Sequence, residues 1–218
     1  MDDLVRMQAP GGFHPDRSLD LDDLLDDPIA QFRAWFDDAD AEGVPLPNAM
    51  ALATADAEGR PSVRHVLLRG VDERGFVFYT NRESRKGAEL DANPWAGLVF
   101  LWKELDRQVT VTGHVGSVSE EESDAYFATR PRDAQIGAWA SPQSRPIPDR
   151  ATLSHAVADV DRRFEGREVP RPPHWGGYRV FPLAIEFWHG RAFRLHDRFR
   201  YERDAGEPTG WRVERLAP

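Results

Sequence analysis

Between Asn48 and Ser117 most of the chain alternates at a period of two, and no other feature narrows the possible folds as much. The run contains "AMALATA", the turn "DAEGR", "SVRHVLLR", the turn "VDERG" and "FVFYT". A short helical stretch, "SRKGAELDANP", is stopped by Pro94, and "WAGLVFLW" and "RQVTVTGHVGSV" follow. Successive strand residues point to opposite faces, and strands joined by short turns pair antiparallel, so the first three strands are expected to form a consecutive meander. A second strand-rich block ends the chain with "YRVFPLAIEFWHG", "AFRLHDRFRY" and "GWRVERL".

Helical patterns interrupt these blocks without regular alternation. Ile29, Phe32, Trp35 and Phe36 stand at helical spacing, with Asp27 as the cap and Pro28 at the first helical position. Ser119 and Glu122 stand in capping-box register before a helix that stops at Pro131, and Leu153, Val157, Val160 and Phe164 mark another. Grouped strands with inserted helices predict a mainly β fold, an antiparallel barrel with peripheral helices. An amino-terminal arm over residues 1–26 is expected to be mobile, and residues 27–218 to form one domain.

The net charge of −9, from 28 Lys and Arg against 37 Asp and Glu, argues against nucleic-acid or anionic-membrane partners. Any anion site must therefore be local. With no cysteine, thiolate chemistry and disulfides are excluded. The acidic start and the lack of an apolar run of about 18 residues predict neither signal peptide nor membrane span, and a cytoplasmic protein. Glycine-rich phosphate loops, His-Glu-x-x-His and Gly-x-Ser-x-Gly are all missing, and no metal site is expected.

What remains is a set of basic residues in strands and turns. Arg64 and Arg69 differ in parity, which on one strand would send them to opposite sides. Tyr79, Thr80, Ser84, Arg85 and Lys86 surround a strand end and a helix start, where free backbone N–H groups favour a phosphate. Tyr126, Arg130 and Arg132 flank a helix end, and Gln143 and Ser144 follow. Taken as a strand, residues 192–201 line up Arg194, His196 and Arg198 on one face. That face is either solvated charge or the wall of an anionic, flat ligand beside Trp188.

The segments "RHVLLRG", "FYTNRESRKG", "DRQVTVTG", "RPRDAQIGAWASPQS", "WGGYRV", "IEFWHG", "RLHDR" and "ERLAP" occur in an order that resembles the pyridoxine/pyridoxamine 5′-phosphate oxidase family from about Asp27 to Pro218. The resemblance implies a homodimeric FMN-binding split β-barrel with each flavin at the subunit interface. It implies oxidation of pyridoxamine or pyridoxine 5′-phosphate to pyridoxal 5′-phosphate, by hydride transfer to the flavin, with O2 reduced to hydrogen peroxide. It assigns FMN to Arg64, His65, Val66, Leu67, Leu68, Arg69, Tyr79, Thr80, Arg85, Lys86, Gln108, Gln143, Ser144, Trp188 and Arg198. Substrate falls to Arg69, Tyr126, Arg130, Arg194, Leu195 and His196, of which Arg194 and His196 are the implied catalytic residues. Arg69 and Ala134 stand where the family usually has Lys and often has Ser, and the arm has Arg6 but lacks the family's tyrosine. A flavin oxidase of another aromatic, of dihydrophenazine type, would keep the FMN residues without needing the Arg69, Tyr126 and Arg130 group. A non-catalytic flavin- or heme-binding barrel would not need Arg194 and His196.

Overall fold

The computed structural model describes residues 18–207 and 209–218, so the arm expected over 1–26 lies outside the described residues as far as residue 17. From Ser18 the chain is tied to its own carboxyl-terminal strands. Leu19 is buried, its N–H donates to Asp197 at 3.1 Å, and Arg215 donates to its carbonyl and to Asp20.

Helix α1 spans Pro28–Ala41; Asp27 accepts from the Ile29 N–H, and Pro28 costs nothing in the first turn, where its N–H would lack a partner anyway. Its apolar stripe enters the main core. Phe32 is fully buried and meets Phe76 and Phe100 edge-on at 4.9 and 4.8 Å, while Trp35 meets Phe187 at 5.1 Å. Such edge-to-face pairs add to what burial alone contributes.

The strands are β1 (Ala49–Ala55), β2 (Pro61–Leu67), β3 (Gly70–Asp72), β4 (Gly75–Asn81), β5 (Trp95–Trp102), β6 (Arg107–Ser117), β7 (Trp175–His189), β8 (Asp197–Arg203) and β9 (Trp211–Arg215). They form one antiparallel sheet with the path β2-β1-β5-β6-β7-β4-β3, and β8 and β9 branch from β7. One corner curls the path. The Leu68 N–H donates to Asn48 at the start of β1, and the next N–H, Arg69, donates to Val77 of β4. The expected meander is therefore corrected: β2 pairs with β1 and β4 with β7, and only the short β3 beyond the corner pairs with β4.

The fifteen-residue β7 is shared along its length. Its first half pairs with β4, its second half with β8, and β6 runs beside both. A bulge at Thr112/Gly113 accommodates Pro182, which cannot donate to a ladder. Gly113 is required there, because a Cβ would stand 2.1 Å from the Phe181 carbonyl oxygen.

Four more helices are α2 (Arg85–Ala92), α3 (Glu120–Ala128), α4 (Arg132–Ala140) and α5 (Arg150–Arg163). The Ser119/Glu122 capping box forms as expected. Helix α4 was hidden in the sequence, since Pro131 reads as a stop although it serves as the cap of the next helix. A smaller core of Phe127, Ile136, Phe164, Val169 and Trp175 holds this helical layer together. No helix among the described residues is long and apolar enough to cross a membrane.

The stretch 192–201 is not one strand. Ala192–Arg194 is a 3-10 turn, with Phe193 and Arg194 in the left-handed region at φ 58° and 62°, and pairing begins only at Asp197. Left-handed residues break the pleat, so Arg194 and His196 do not share a strand face with Arg198.

Candidate active site

The corner at Leu68/Arg69 undoes the parity argument for the two arginines. Because the backbone changes partner there, Arg64 and Arg69 both line one cavity of about 480 Å³. Tyr79, Thr80, Lys86, Tyr126, Arg130 and Gln143 line it too, as do His65, Val66 and Leu67. Trp175, Ala134 and Ser141 complete much of the wall.

One end of the cavity is built by α2. Ser84 caps the helix by accepting from the Gly87 N–H, which sets Lys86 in the first turn. The Lys86 ammonium is buried and donates to Thr80, Ser84 and Gln143, at 2.9 Å in the last case. Burial first, and then the Arg64 charge, lower its pKa to about 8. Arg64 reaches the same region from β2 and donates to the Leu52 carbonyl, to Thr54 and Ser62, and to the Glu89 carboxylate. Arg85 turns away from the lining, largely exposed, with its Nε on Glu89 at 2.8 Å.

The other end is aromatic. Tyr79 stacks on Tyr126 at 4.1 Å and on Trp175 at 5.4 Å, with the three rings nearly parallel. Arg69 lies 5.9 Å from the Tyr126 ring centre, and Arg130 lies 4.8 Å from that of Trp175. Nη1 of Arg130 is buried with no hydrogen-bond partner among the described residues. Cations on ring faces keep their donors directed elsewhere, and an orphaned guanidinium nitrogen beside a cavity suits an anionic ligand.

A second group stands on β6, β7 and β8, outside this lining. Gln108, Trp188 and Arg198 are cross-strand partners, so their side chains share a sheet face. Arg198 is held in a two-point ion pair with Glu186, at 2.8 and 3.1 Å, and donates to the Ala217 carbonyl. His196 lies over Trp188 at 4.6 Å, and its Nδ1 accepts from the Arg191 N–H, so the neutral ring carries its proton on Nε2. Burial, followed by the Arg194 and Arg198 charges, lowers the His196 pKa. Arg194 and Leu195 project from the turn and are exposed.

The expected site residues thus separate into a cavity group and a sheet-face group. Leu68 lies in the core and Ser144, at φ 69°, on the surface; neither lines the cavity. Two carboxylates escaped sequence reasoning, Glu89 and Glu186, because an acidic residue beside a basic one is ordinary surface chemistry until burial is known. Glu89 had one local signal, its i,i+4 spacing from Arg85.

Two family models match the chain: pyridoxamine 5′-phosphate oxidase over residues 36–164 and the pyridoxine 5′-phosphate oxidase C-terminal dimerisation region over 175–218. The pyridoxine/pyridoxamine 5′-phosphate oxidase of Rubrobacter xylanophilus is 61% identical, covering 88% of this chain and 87% of that protein. That of Burkholderia multivorans is 57% identical, covering 92% and 94%. Among solved structures, PhzG of Burkholderia lata in complex with tetrahydrophenazine-1-carboxylic acid superposes with a TM-score of 0.86 at 36% identity, covering 94% of this chain and 99% of that one. An FMN-binding protein of Nostoc punctiforme related to pyridoxamine 5′-phosphate oxidase shares the fold, with a TM-score of 0.69 at 19% identity. A curled antiparallel barrel, a cation-lined cavity, and family matches over residues 36–164 and 175–218 lead to one conclusion: this chain belongs to the pyridoxine/pyridoxamine 5′-phosphate oxidase family.

Proposed function

We propose that this protein oxidises pyridoxamine 5′-phosphate and pyridoxine 5′-phosphate to pyridoxal 5′-phosphate as an FMN-dependent homodimer, with O2 as the acceptor. The observation that carries the proposal is the convergence of Arg64, Lys86, Arg69 and Arg130 on one cavity in a chain of net charge −9. A desolvated ammonium and an orphaned guanidinium nitrogen both fit phosphate groups. Bound FMN would supply the two-electron redox chemistry between substrate and O2. For the amine, water and O2 are consumed and ammonia and hydrogen peroxide released; for the alcohol, O2 alone is consumed and peroxide released.

The chain's own residues bind and orient. Arg64, Lys86, Thr80 and Gln143 hold the cofactor phosphate, and Arg69, Tyr126 and Arg130 hold the substrate phosphate. Gln108, Trp188 and Arg198 serve the flavin from the other subunit, and Arg194 and His196 the substrate ring, which places each site at the dimer interface. The separation of the two residue groups within one chain supports this division. In the deprotonated-Nδ1 tautomer, His196 offers an Nε2 proton as a donor to a substituent of the substrate.

Peroxide release tests the proposal. Two charge-assisted contacts of about 1.5–3 kcal/mol each predict that pyridoxamine 5′-phosphate exceeds pyridoxamine on the order of 10²- to 10⁴-fold in kcat/KM. Arg69→Ala should raise KM for the phosphorylated substrate and leave the other nearly unchanged. Equal losses on both, or turnover of a reduced phenazine carboxylate in preference to either, would move the assignment to the activity suggested by the PhzG likeness.

A further inference from the structure

We infer that Glu89 is a positioning residue that locks Arg64 in its cavity-facing pose for the cofactor phosphate; this rests on the FMN reading above. The Glu89 side chain is 5% exposed, and it projects from α2 against β1 and β2. Its carboxylate accepts from Thr54, Ser62, Arg64 and Arg85. The two hydroxyls act as relays: each donates to Glu89 and accepts from an Arg64 nitrogen. Arg64 is thereby held through both terminal nitrogens, directly by the carboxylate and indirectly through two side chains the carboxylate orients.

Burial alone would raise the Glu89 pKa, yet the four donors outweigh it and bring the carboxyl down to about 2. The charge is therefore permanent at working pH. Arg85, exposed and outside the lining, offsets the Glu89 charge, so that Arg64 and Lys86, which do line the cavity, leave two positive charges for a phosphate dianion. Opposing effects must be weighed on removing the carboxylate. Loss of its negative charge favours an anion nearby; loss of its acceptors frees a long, flexible side chain and points an amide N–H₂ at a donor. Because four donors already compensate the carboxylate, little of its field is left to repel a ligand, and the orienting effect wins.

Fluorescence quenching of FMN and of riboflavin by the apoprotein tests this without turnover. Glu89→Gln should raise the FMN Kd about tenfold, about 1.4 kcal/mol, and leave the riboflavin Kd within about twofold. In the Arg64→Ala background the same change should cost FMN binding markedly less, since the residue through which Glu89 acts has gone. Glu89→Asp keeps the charge with a shorter reach; it should weaken FMN in the same selective way, and it carries the test if Glu89→Gln does not fold. Equal weakening of both flavins would reduce Glu89 to a fold anchor, and unchanged or tighter FMN binding would overturn the inference outright. A wild-type apoprotein that bound riboflavin as tightly as FMN would instead overturn the cofactor-phosphate reading itself.

Discussion

At the scale of single residues, the site depends on cations kept under conditions that disfavour them. Lys86 is the extreme case, an ammonium whose pKa falls to about 8 through burial and the neighbouring Arg64. A bound phosphate dianion favours the charged form, so ligand binding must raise this pKa, and linkage fixes the sign. FMN affinity should be highest below pH 8 and fall as pH rises through 8, approaching tenfold per unit until the pKa of the complex is reached. Titrating FMN into the apoprotein between pH 7 and 10 measures this, and Lys86→Arg should remove the pH dependence, because a guanidinium stays charged throughout. A flat profile in the wild type would mean that Lys86 does not meet the phosphate.

Among the elements, α2 does most to place the cations proposed for the cofactor phosphate, and its seat is tight. Gly87 lies over the loop before the helix, where a Cβ would stand 1.9 Å from the Arg82 carbonyl oxygen. The contact is with backbone, so Gly87→Ala must move the helix. It should lower Tm by several degrees, on the order of 1–3 kcal/mol of overpacking, and weaken FMN together with it, because Lys86 and Glu89 move with the same helix. Thermal melts of apoprotein and FMN-loaded protein read the two effects separately. The turn Ala192–Arg194 is the contrasting element: two left-handed residues place an exposed Phe193 and Arg194 between β7 and β8, ahead of the β8 ladder.

For the whole molecule, the two residue groups make a prediction that one chain cannot satisfy. If each site takes its cavity from one subunit and its sheet face from the other, Arg130→Ala and His196→Ala should each be nearly inactive alone. Mixed by unfolding and refolding, they should regain roughly a quarter of wild-type activity, since about half the dimers are hybrids and each hybrid has one intact site. No recovery in verified hybrid dimers would place both groups in one subunit's site.

What the amino-acid sequence determined by itself is the local part of this account. Helix α1 with its Asp27 cap, the Ser119/Glu122 box, most strands and the antiparallel class follow from periodicity and end signals that act over a few residues. The family motifs likewise single out Arg64, Lys86, Tyr126, Arg130, Trp188 and His196 as the residues that the resemblance implies for the site. Tertiary structure alone decided which of these meet. The partner change at Leu68/Arg69 brings Arg64 and Arg69 to one cavity against their parity, the left-handed pair at 193–194 takes Arg194 and His196 off the strand, and burial turns Glu89 from a surface charge into the centre of a network. Each of these rests on contacts between segments far apart in the chain, and a period of two or 3.6 holds no information about which distant segment will be the neighbour.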